Sequence, residues 1–137
     1  MTNEIITFYS KNPPNRGEMA DATIRYKEEN RSCSDTIEVF LKIENNILVD
    51  WSFEGMTSIV TTATSSVFGE SIVGMTLDEI LKKDYNYIKK LVEEDISPRR
   101  QKAAVFGLVA TRNAIHKYLG DGQKDDILDM LIVSSGC

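Results

Sequence analysis

Cys33 is the residue with the widest chemistry in this sequence, which has two cysteines, Cys33 and Cys137, and one histidine, His116. A thiolate is both a nucleophile and a soft metal ligand, and Asp35, two residues further on, can add a carboxylate oxygen. Any soft-metal chemistry of this chain is therefore expected to centre on Cys33, with Asp35 available as an oxygen ligand. A half-buried loop cysteine that binds nothing is an equally good interpretation.

Other kinds of site find little support. Without a Cys-x-x-Cys pair, cysteine and histidine alone cannot build a four-ligand structural zinc site. The chain has no Ser/His/Asp set and no glycine-rich phosphate loop, so we expect no catalysis by the chain itself. His116 is expected to be a surface or hydrogen-bonded histidine. Cys137 is a conceivable replacement ligand, at the entropic cost of ordering a chain terminus.

The length and composition of the chain fit one globular domain. The 137 residues are 42% hydrophobic and 27% charged, with a net charge of −5. We expect a single domain over 1–137, with 121–137 as a C-terminal extension. The acidic balance and the lack of a basic run argue against nucleic acid as a partner, and no apolar stretch is long enough to span a bilayer. A cytoplasmic protein without a structural disulfide is the expectation.

Alternating apolar residues predict a β-hairpin over 36–54, with its turn at Asn45-Asn46. A weaker alternation predicts a strand at 22–27, which a polar loop over 28–32 joins to the hairpin. Phe40 is the exception to the pattern. The predicted core face consists of Ile37, Val39, Leu41, Ile43, Ile47, Val49, Trp51 and Phe53.

The remaining segments are helical in pattern. Thr76 and Glu79 fit a capping box at a helix start, and Ser97-Pro98 fits the start of a long amphipathic helix over 99–119. Further helices are predicted over 3–9, 57–73, 85–94 and part of 125–133, with a proline-broken loop at 12–17. The fold class is therefore α+β, a three-stranded antiparallel sheet with helices packed on one face.

Several segments resemble, in order, motifs of the IscU/NifU-type iron–sulfur cluster assembly scaffolds. Ser32-Cys33-Ser34-Asp35 resembles their Cys-Gly-Asp motif, and Gly74 to Glu79 is similar to their Gly-Lys-Thr/Ser-Leu-Asp/Glu-Glu turn. The others are Asn12 to Gly17 with Ala20-Asp21-Ala22, Trp51 to Gly55, and Ala63 to Ser66. The resemblance spans roughly 9–119 and implies the same sheet-and-helix fold.

The resemblance also implies a ligand set, from which this chain departs. Family members hold a nascent cluster with three cysteines and an aspartate, which correspond here to Cys33, Ser58, Ala103 and Asp35. Serine and alanine replace thiolates poorly in iron–sulfur chemistry. Ser58 is more simply a helix cap than a weak ligand. Lys102 is either a solvated residue or a group that stabilises a bound anion.

The resemblance implies a scaffold-like protein that acts with a cysteine desulfurase and other assembly proteins. In one hypothesis it binds iron or an iron–sulfur cluster in an altered site, with two subunits of a homodimer each contributing Cys33 and Asp35. In the alternative it is a cluster-free interaction or regulatory module for the assembly machinery. Zinc held by the same two residues is a weaker hypothesis.

Overall fold

The computed structural model describes residues 3–31 and 34–131 as a small sheet covered by helices. Residues 1–2, Ser32, Cys33 and 132–137 lie outside the described residues. The elements are α1 (Glu4–Lys11), β1 (Ile24–Asn30), β2 (Asp35–Glu44), β3 (Ile47–Glu54), α2 (Ile59–Ile72), α3 (Leu77–Leu81), α4 (Tyr85–Val92) and α5 (Gln101–Leu119), with 3-10 turns at Pro98–Arg100 and Ile127–Met130.

The sheet is antiparallel in the order β1-β2-β3, which confirms the predicted α+β class. Apolar residues at alternate positions of β2 lie on the face that meets the helices, because side chains of a strand alternate between its two faces. Helix α5 packs on β1 and β2, and α2 packs on β3. The fully buried residues of β2 on this face are Ile37, Val39 and Leu41.

The hairpin contains an irregularity that the alternation did not predict. Asn45 and Asn46 both have positive φ, as the predicted turn requires. The register then shifts between Lys42 and Ile43, so that Leu48 pairs with Ile43 and is fully buried. A bulge of one residue reverses the face that the following side chains occupy. The prediction that Ile47 and Val49 lie in the core was therefore wrong, since both are 37% exposed.

Strand β1 is longer than its apolar pattern indicates. The predicted polar loop begins three residues too early, because Glu28, Glu29 and Asn30 pair with Ile37, Thr36 and Asp35. Backbone pairing with β2 does not depend on apolar side chains, which explains the error. Phe40 lies on the opposite face of the sheet, where the guanidinium of Arg25 stacks 4.8 Å from its ring centroid.

Helix α2 is buried on nearly all sides, because α1, α4, α5 and β3 all contact it. Its small residues make this possible. Gly69 leaves room for the indole ring of Trp51, which a Cβ at this position would strike, and Gly107 of α5 gives the same room to Ser65. Trp51 donates its indole N–H to Thr111 Oγ1 at 3.1 Å, so α5 also holds the ring.

The proline-containing loop before β1 is fixed to the helices and to the edge of the sheet. Asn15 donates to the backbone oxygen of Ser66 at 2.9 Å and accepts from the Ser66 hydroxyl at 2.6 Å. Gly17 donates to the backbone oxygen of Phe53 at 2.8 Å, forming a short parallel bridge to β3. The loop thus occupies the edge that β3 would otherwise expose.

The helix ends follow local sequence signals. Thr76 and Glu79 form the predicted capping box, and Gly120 ends α5 in the left-handed conformation. The chain after Gly120 then returns along α5. Asp121 contacts His116, and Asp125 exchanges hydrogen bonds with Asn113, at 2.7 Å and 3.0 Å.

Candidate functional site

Asp35 begins β2 and lies against the N-terminus of α2. Its side chain is only 3% exposed. One carboxylate oxygen, Oδ1, accepts the backbone N–H of Ser58 at 2.8 Å, and Oδ2 accepts the hydroxyl of Thr61 at 2.8 Å. A buried carboxylate requires such donors, and the positive end of the α2 dipole favours its charge.

Ser58 is the N-cap of α2, as its position in a Ser/Thr-rich run predicted. Its hydroxyl oxygen accepts the backbone N–H of Thr61 at 3.2 Å, and its O–H donates to Thr61 Oγ1 at 3.0 Å. Asp35, Ser58 and Thr61 therefore form a closed hydrogen-bonded ring. Each carboxylate oxygen of Asp35 retains one lone pair that these bonds do not use.

An open cavity of about 370 Å³ lies between the start of α2 and the start of α5. It gathers the three positions that correspond to family ligands within the described residues, which are Asp35, Ser58 and Ala103. The rest of its lining is formed by Ile59, Val60, Arg99 and Arg100.

A second cavity, of about 450 Å³, opens on the other side of Asp35 and includes Ser34, Gly55 and Arg16. Arg16 spans this opening, since it donates to the Gly55 backbone oxygen at 2.5 Å and to Thr57 Oγ1 at 3.2 Å. Its guanidinium also lies 5.1 Å from the centroid of Phe53. Asp35 is thus a carboxylate that borders two adjoining cavities.

Of the other predicted site residues, two cannot be placed in the structure and a third lies outside the cavities. Cys33 and Cys137 lie outside the described residues, although Cys33 immediately precedes Ser34 at the second cavity. Lys102 is half-buried at the start of α5 and does not line either cavity. The geometry thus brings Asp35 and Ser58 together and leaves Lys102 outside their cavities.

His116 is a buried, hydrogen-bonded histidine, one of the two environments that the sequence allowed. It is 5% exposed, and its Nδ1 lies 2.8 Å from Asp121 Oδ2. Hydrogen bonds from the Gln123 backbone and from His116 hold the pKa of Asp121 below its ordinary value. This cluster belongs to the chain return after α5, at the end of the helix away from Ala103.

Two arginines of the first cavity were not recognised as site residues in the sequence. Arg99 and Arg100 precede α5, and neither guanidinium forms an ion pair or a hydrogen bond with any residue in 3–31 or 34–131. Two adjacent arginines in a chain of net charge −5 were a sequence feature that could have indicated them as candidate site residues. Thr61 was also missed, because nothing local indicates that its hydroxyl reaches Asp35.

The described residues of the two cavities provide few donor atoms for a metal ion. Within 3–31 and 34–131 there is no cluster of three or more His, Cys, Asp or Glu side chains suited to a metal ion. Ala103 has no donor atom, and the Ser58 hydroxyl is engaged with Thr61. Asp35 is the only acidic residue of either cavity in this part of the chain.

The sequence matches the family model of the NifU-like N terminal domain over residues 1–125. The chain belongs to this family. The resemblance and the fold predicted from the motifs are thereby confirmed. None of the helices in the described part of this family member is long and apolar enough to cross a membrane.

Curated relatives support the same membership. This NifU-like chain is 36% identical over 80 residues to the iron–sulfur cluster assembly scaffold protein IscU of Thermotoga maritima, covering 58% of this chain and 56% of the relative. It is 28% identical over 78 residues to the zinc-dependent sulfurtransferase SufU of Bacillus subtilis, covering 57% and 52%. The chain thus spans about half the length of these relatives.

Solved structures share the fold. The protein described as an iron–sulfur cluster assembly scaffold for the SUF system of Fervidobacterium islandicum AW-1 superposes with a TM-score of 0.73 at 23% identity, covering 82% of this chain and 94% of that one. A nitrogen-fixing NifU-like protein (N-terminal) from Brucella abortus gives 0.69 at 19% identity, covering 88% and 95%. At these identities the similarity shows the fold alone.

Proposed function

We propose that this protein is a scaffold-type component of iron–sulfur cluster assembly that holds iron or a nascent cluster through Cys33 and Asp35. The cluster is cargo that is built and passed on, so a labile site suits the role. Two subunits that each offer one thiolate and one carboxylate would reach the four ligands that a small cluster requires. As in relatives of this family, a cysteine desulfurase would supply the sulfur.

The observation that carries the proposal is the position of Asp35 between the two cavities. Its two hydrogen bonds, from Ser58 N–H and Thr61 Oγ1, are those of a carboxylate held in one orientation. Ligating carboxylates are commonly fixed by outer hydrogen bonds of this kind, and each oxygen keeps a free lone pair. Cys33 is two residues away along the chain.

Anaerobic reconstitution with ferrous iron and sulfide tests this function. We expect visible absorbance from a bound cluster in the wild-type protein, its loss in Cys33→Ser, and a several-fold faster loss to a chelator in Asp35→Asn. Asp129→Asn is a matched control, because Asp129 is exposed on the turn after α5. An unchanged cluster in Cys33→Ser would contradict the proposal.

Zinc bound by the same pair of residues is a weaker hypothesis. One relative is named a zinc-dependent sulfurtransferase, so metal analysis of untagged protein distinguishes the two metals. Zinc below about a tenth of an equivalent would remove this alternative. Because the same relative is named a sulfurtransferase, the expectation that this chain is not an enzyme stays a prediction. A sulfur-transfer assay with a cysteine desulfurase and a thiol acceptor tests it.

A second function, a cluster-free interaction module for the assembly machinery, is favoured by a different observation. Met56 and Ile59 lie beside the two cavities and are 76% and 70% exposed, more than the other exposed large apolar residues of the described chain. Together they offer an apolar surface of the kind that a protein partner covers. In this case reconstitution yields no cluster. Met56→Ser with Ile59→Ser would then weaken binding to a cysteine desulfurase, whereas Cys33→Ser would leave it unchanged.

A further inference from the structure

The segment Gly55 to Thr57 joins the end of β3 to Ser58 and forms one side of the second cavity. Strand β2 holds the middle of this segment, because Thr36 donates its backbone N–H to the Met56 oxygen at 2.9 Å and accepts the Met56 N–H on Oγ1 at 3.1 Å. Gly55 permits this close approach, since a Cβ there would lie 2.3 Å from the Thr36 backbone oxygen. Strand β2 thus fixes Met56, while a different part of the chain holds the Gly55 carbonyl and the Thr57 hydroxyl.

Arg16 holds both ends of the segment. Its guanidinium donates to the Gly55 backbone oxygen at 2.5 Å and to Thr57 Oγ1 at 3.2 Å, and its Nε–H donates to Glu54 Oε1 at 3.3 Å. A planar guanidinium presents its N–H groups in a fixed fork, so acceptors on neighbouring residues are held in one arrangement. The side chain of Glu54 is 42% exposed, and ion pairs at such positions contribute little. The bonds to Gly55 and Thr57 are therefore the ones that constrain the segment.

The backbone on either side of Arg16 is anchored to β3. Asn15 accepts the N–H of Phe53 on its backbone oxygen at 3.2 Å, and Gly17 donates its N–H to the Phe53 oxygen at 2.8 Å. The side chain of Asn15 also bonds to Ser66 of α2, and the guanidinium of Arg16 lies over the Phe53 ring. Arg16 therefore reaches the segment from a fixed position on the edge of the sheet.

The constraint reaches Asp35 through one further residue. Thr57 is followed by Ser58, whose backbone N–H donates to Asp35 Oδ1 at 2.8 Å. Thr57 Oγ1 also lies 2.6 Å from Thr62 Oγ1 of α2, so its hydroxyl is held from two sides. A displaced Thr57 would carry the Ser58 N–H away from the carboxylate, because the two residues share a planar peptide unit. Arg16 and Asp35, which both line the second cavity, are thus connected through the segment between them.

We propose that Arg16 is a positioning residue of the candidate site. By holding residues 55–57 it keeps the Ser58 N–H on Asp35, and so it fixes the direction in which this carboxylate faces. The importance of that direction for iron or a cluster rests on the proposed function, while the hold on the segment does not. Through Arg16 the proline-containing loop becomes part of the site.

Amide hydrogen exchange of the metal-free protein, followed by NMR under reducing conditions, tests the hold on the segment. We expect the Ser58 amide to exchange about tenfold faster in Arg16→Gln than in the wild-type protein, because its hydrogen bond opens more often. Amides of β2 that pair with β1 and β3 should keep their wild-type rates.

Arg25→Gln is the matched control, because Arg25 also pairs with a glutamate and lies over a phenylalanine ring, those of Glu38 and Phe40. It should leave the Ser58 rate unchanged. Wild-type exchange at Ser58 in Arg16→Gln would overturn the proposal. An equal acceleration at Ser58 and in β2 would overturn it as well, since that result indicates a general loss of stability.

Reconstitution with ferrous iron and sulfide tests the consequence for the site. We expect Arg16→Gln to lose its cluster to a chelator several-fold faster than Arg25→Gln does, and equal rates would refute this role of Arg16. If the wild-type protein forms no cluster while exchange at Ser58 still depends on Arg16, the proposed function fails and the positioning of Asp35 by Arg16 stands.

Discussion

The carboxylate of Asp35 accepts the backbone N–H of Ser58 at 2.8 Å, across 23 residues of chain. This bond joins the start of β2 to the residue that caps α2. It means that the family's aspartate position and its second cysteine position are structurally coupled here, because Ser58 both caps the helix and orients Asp35. A change at either residue should therefore affect stability as well as metal binding.

We predict that Asp35→Asn lowers the free energy of unfolding by roughly 1–3 kcal/mol, because an amide cannot accept both buried hydrogen bonds without reorienting. Urea denaturation at neutral pH measures the difference, with Asp129→Asn as the exposed control. A variant that unfolds at the same urea concentration as the wild-type protein would show that the two bonds contribute nothing net.

Restoring the family's ligands should strengthen the site. We expect Ser58→Cys with Ala103→Cys to bind more cluster per subunit and to lose it more slowly to a chelator, since two thiolates are added at the cavity that already contains Asp35. Asn86→Cys, on the exposed side of α4, controls for an added thiol. Equal yields from the double variant and this control would place the cluster elsewhere.

The close contact of Gly69 with Trp51 gives a packing prediction. Gly69→Ala should destabilise the protein by about 1–3 kcal/mol, because the added Cβ meets the indole ring in a fully packed core. The expected signature is non-additivity: with Trp51→Phe already present, the same alanine should cost less. Thermal and urea unfolding of the two single variants and the double variant measure this, and strictly additive effects would contradict the contact.

The ion pair between Arg25 and Glu38, at 2.8 Å on the face of the sheet opposite the helices, predicts a pH dependence. The hydrogen bond from Arg25 holds the pKa of Glu38 below its ordinary value of 4.5. A depressed carboxyl pKa contributes stability above about pH 4.5, and this stability is lost as the pH falls through the lower folded-state value.

The advantage of wild-type protein over Glu38→Gln should accordingly shrink between pH 4.5 and more acidic conditions. Urea unfolding of both proteins across this range measures it. Glu94→Gln, at an exposed residue without an ion pair in the described chain, should show little such dependence. A constant difference between wild type and Glu38→Gln at all pH values would exclude the pair as its source.

Local signals in the sequence were sufficient for much of the fold. The Asn45-Asn46 turn, the Thr76 capping box and the Gly120 helix end each depend on a few adjacent residues, and the structure has all three. The strand β1 was too short in the prediction because its last residues, Glu28 to Asn30, pair with β2 without an apolar pattern in the sequence. The candidate site was predictable only as far as motif positions could be transferred.

The sequence by itself determined the order of the strands and helices, the family motifs and the absence of thiolates at positions 58 and 103, because these depend on residue types and short spacings. Only the tertiary structure decided that Asp35 is held by Ser58 and Thr61, that Leu48 is buried while Val49 is exposed, and that two arginines face the cavity beside Ala103. Those relationships depend on contacts between residues far apart in the chain and on a one-residue bulge, and no local pattern encodes either.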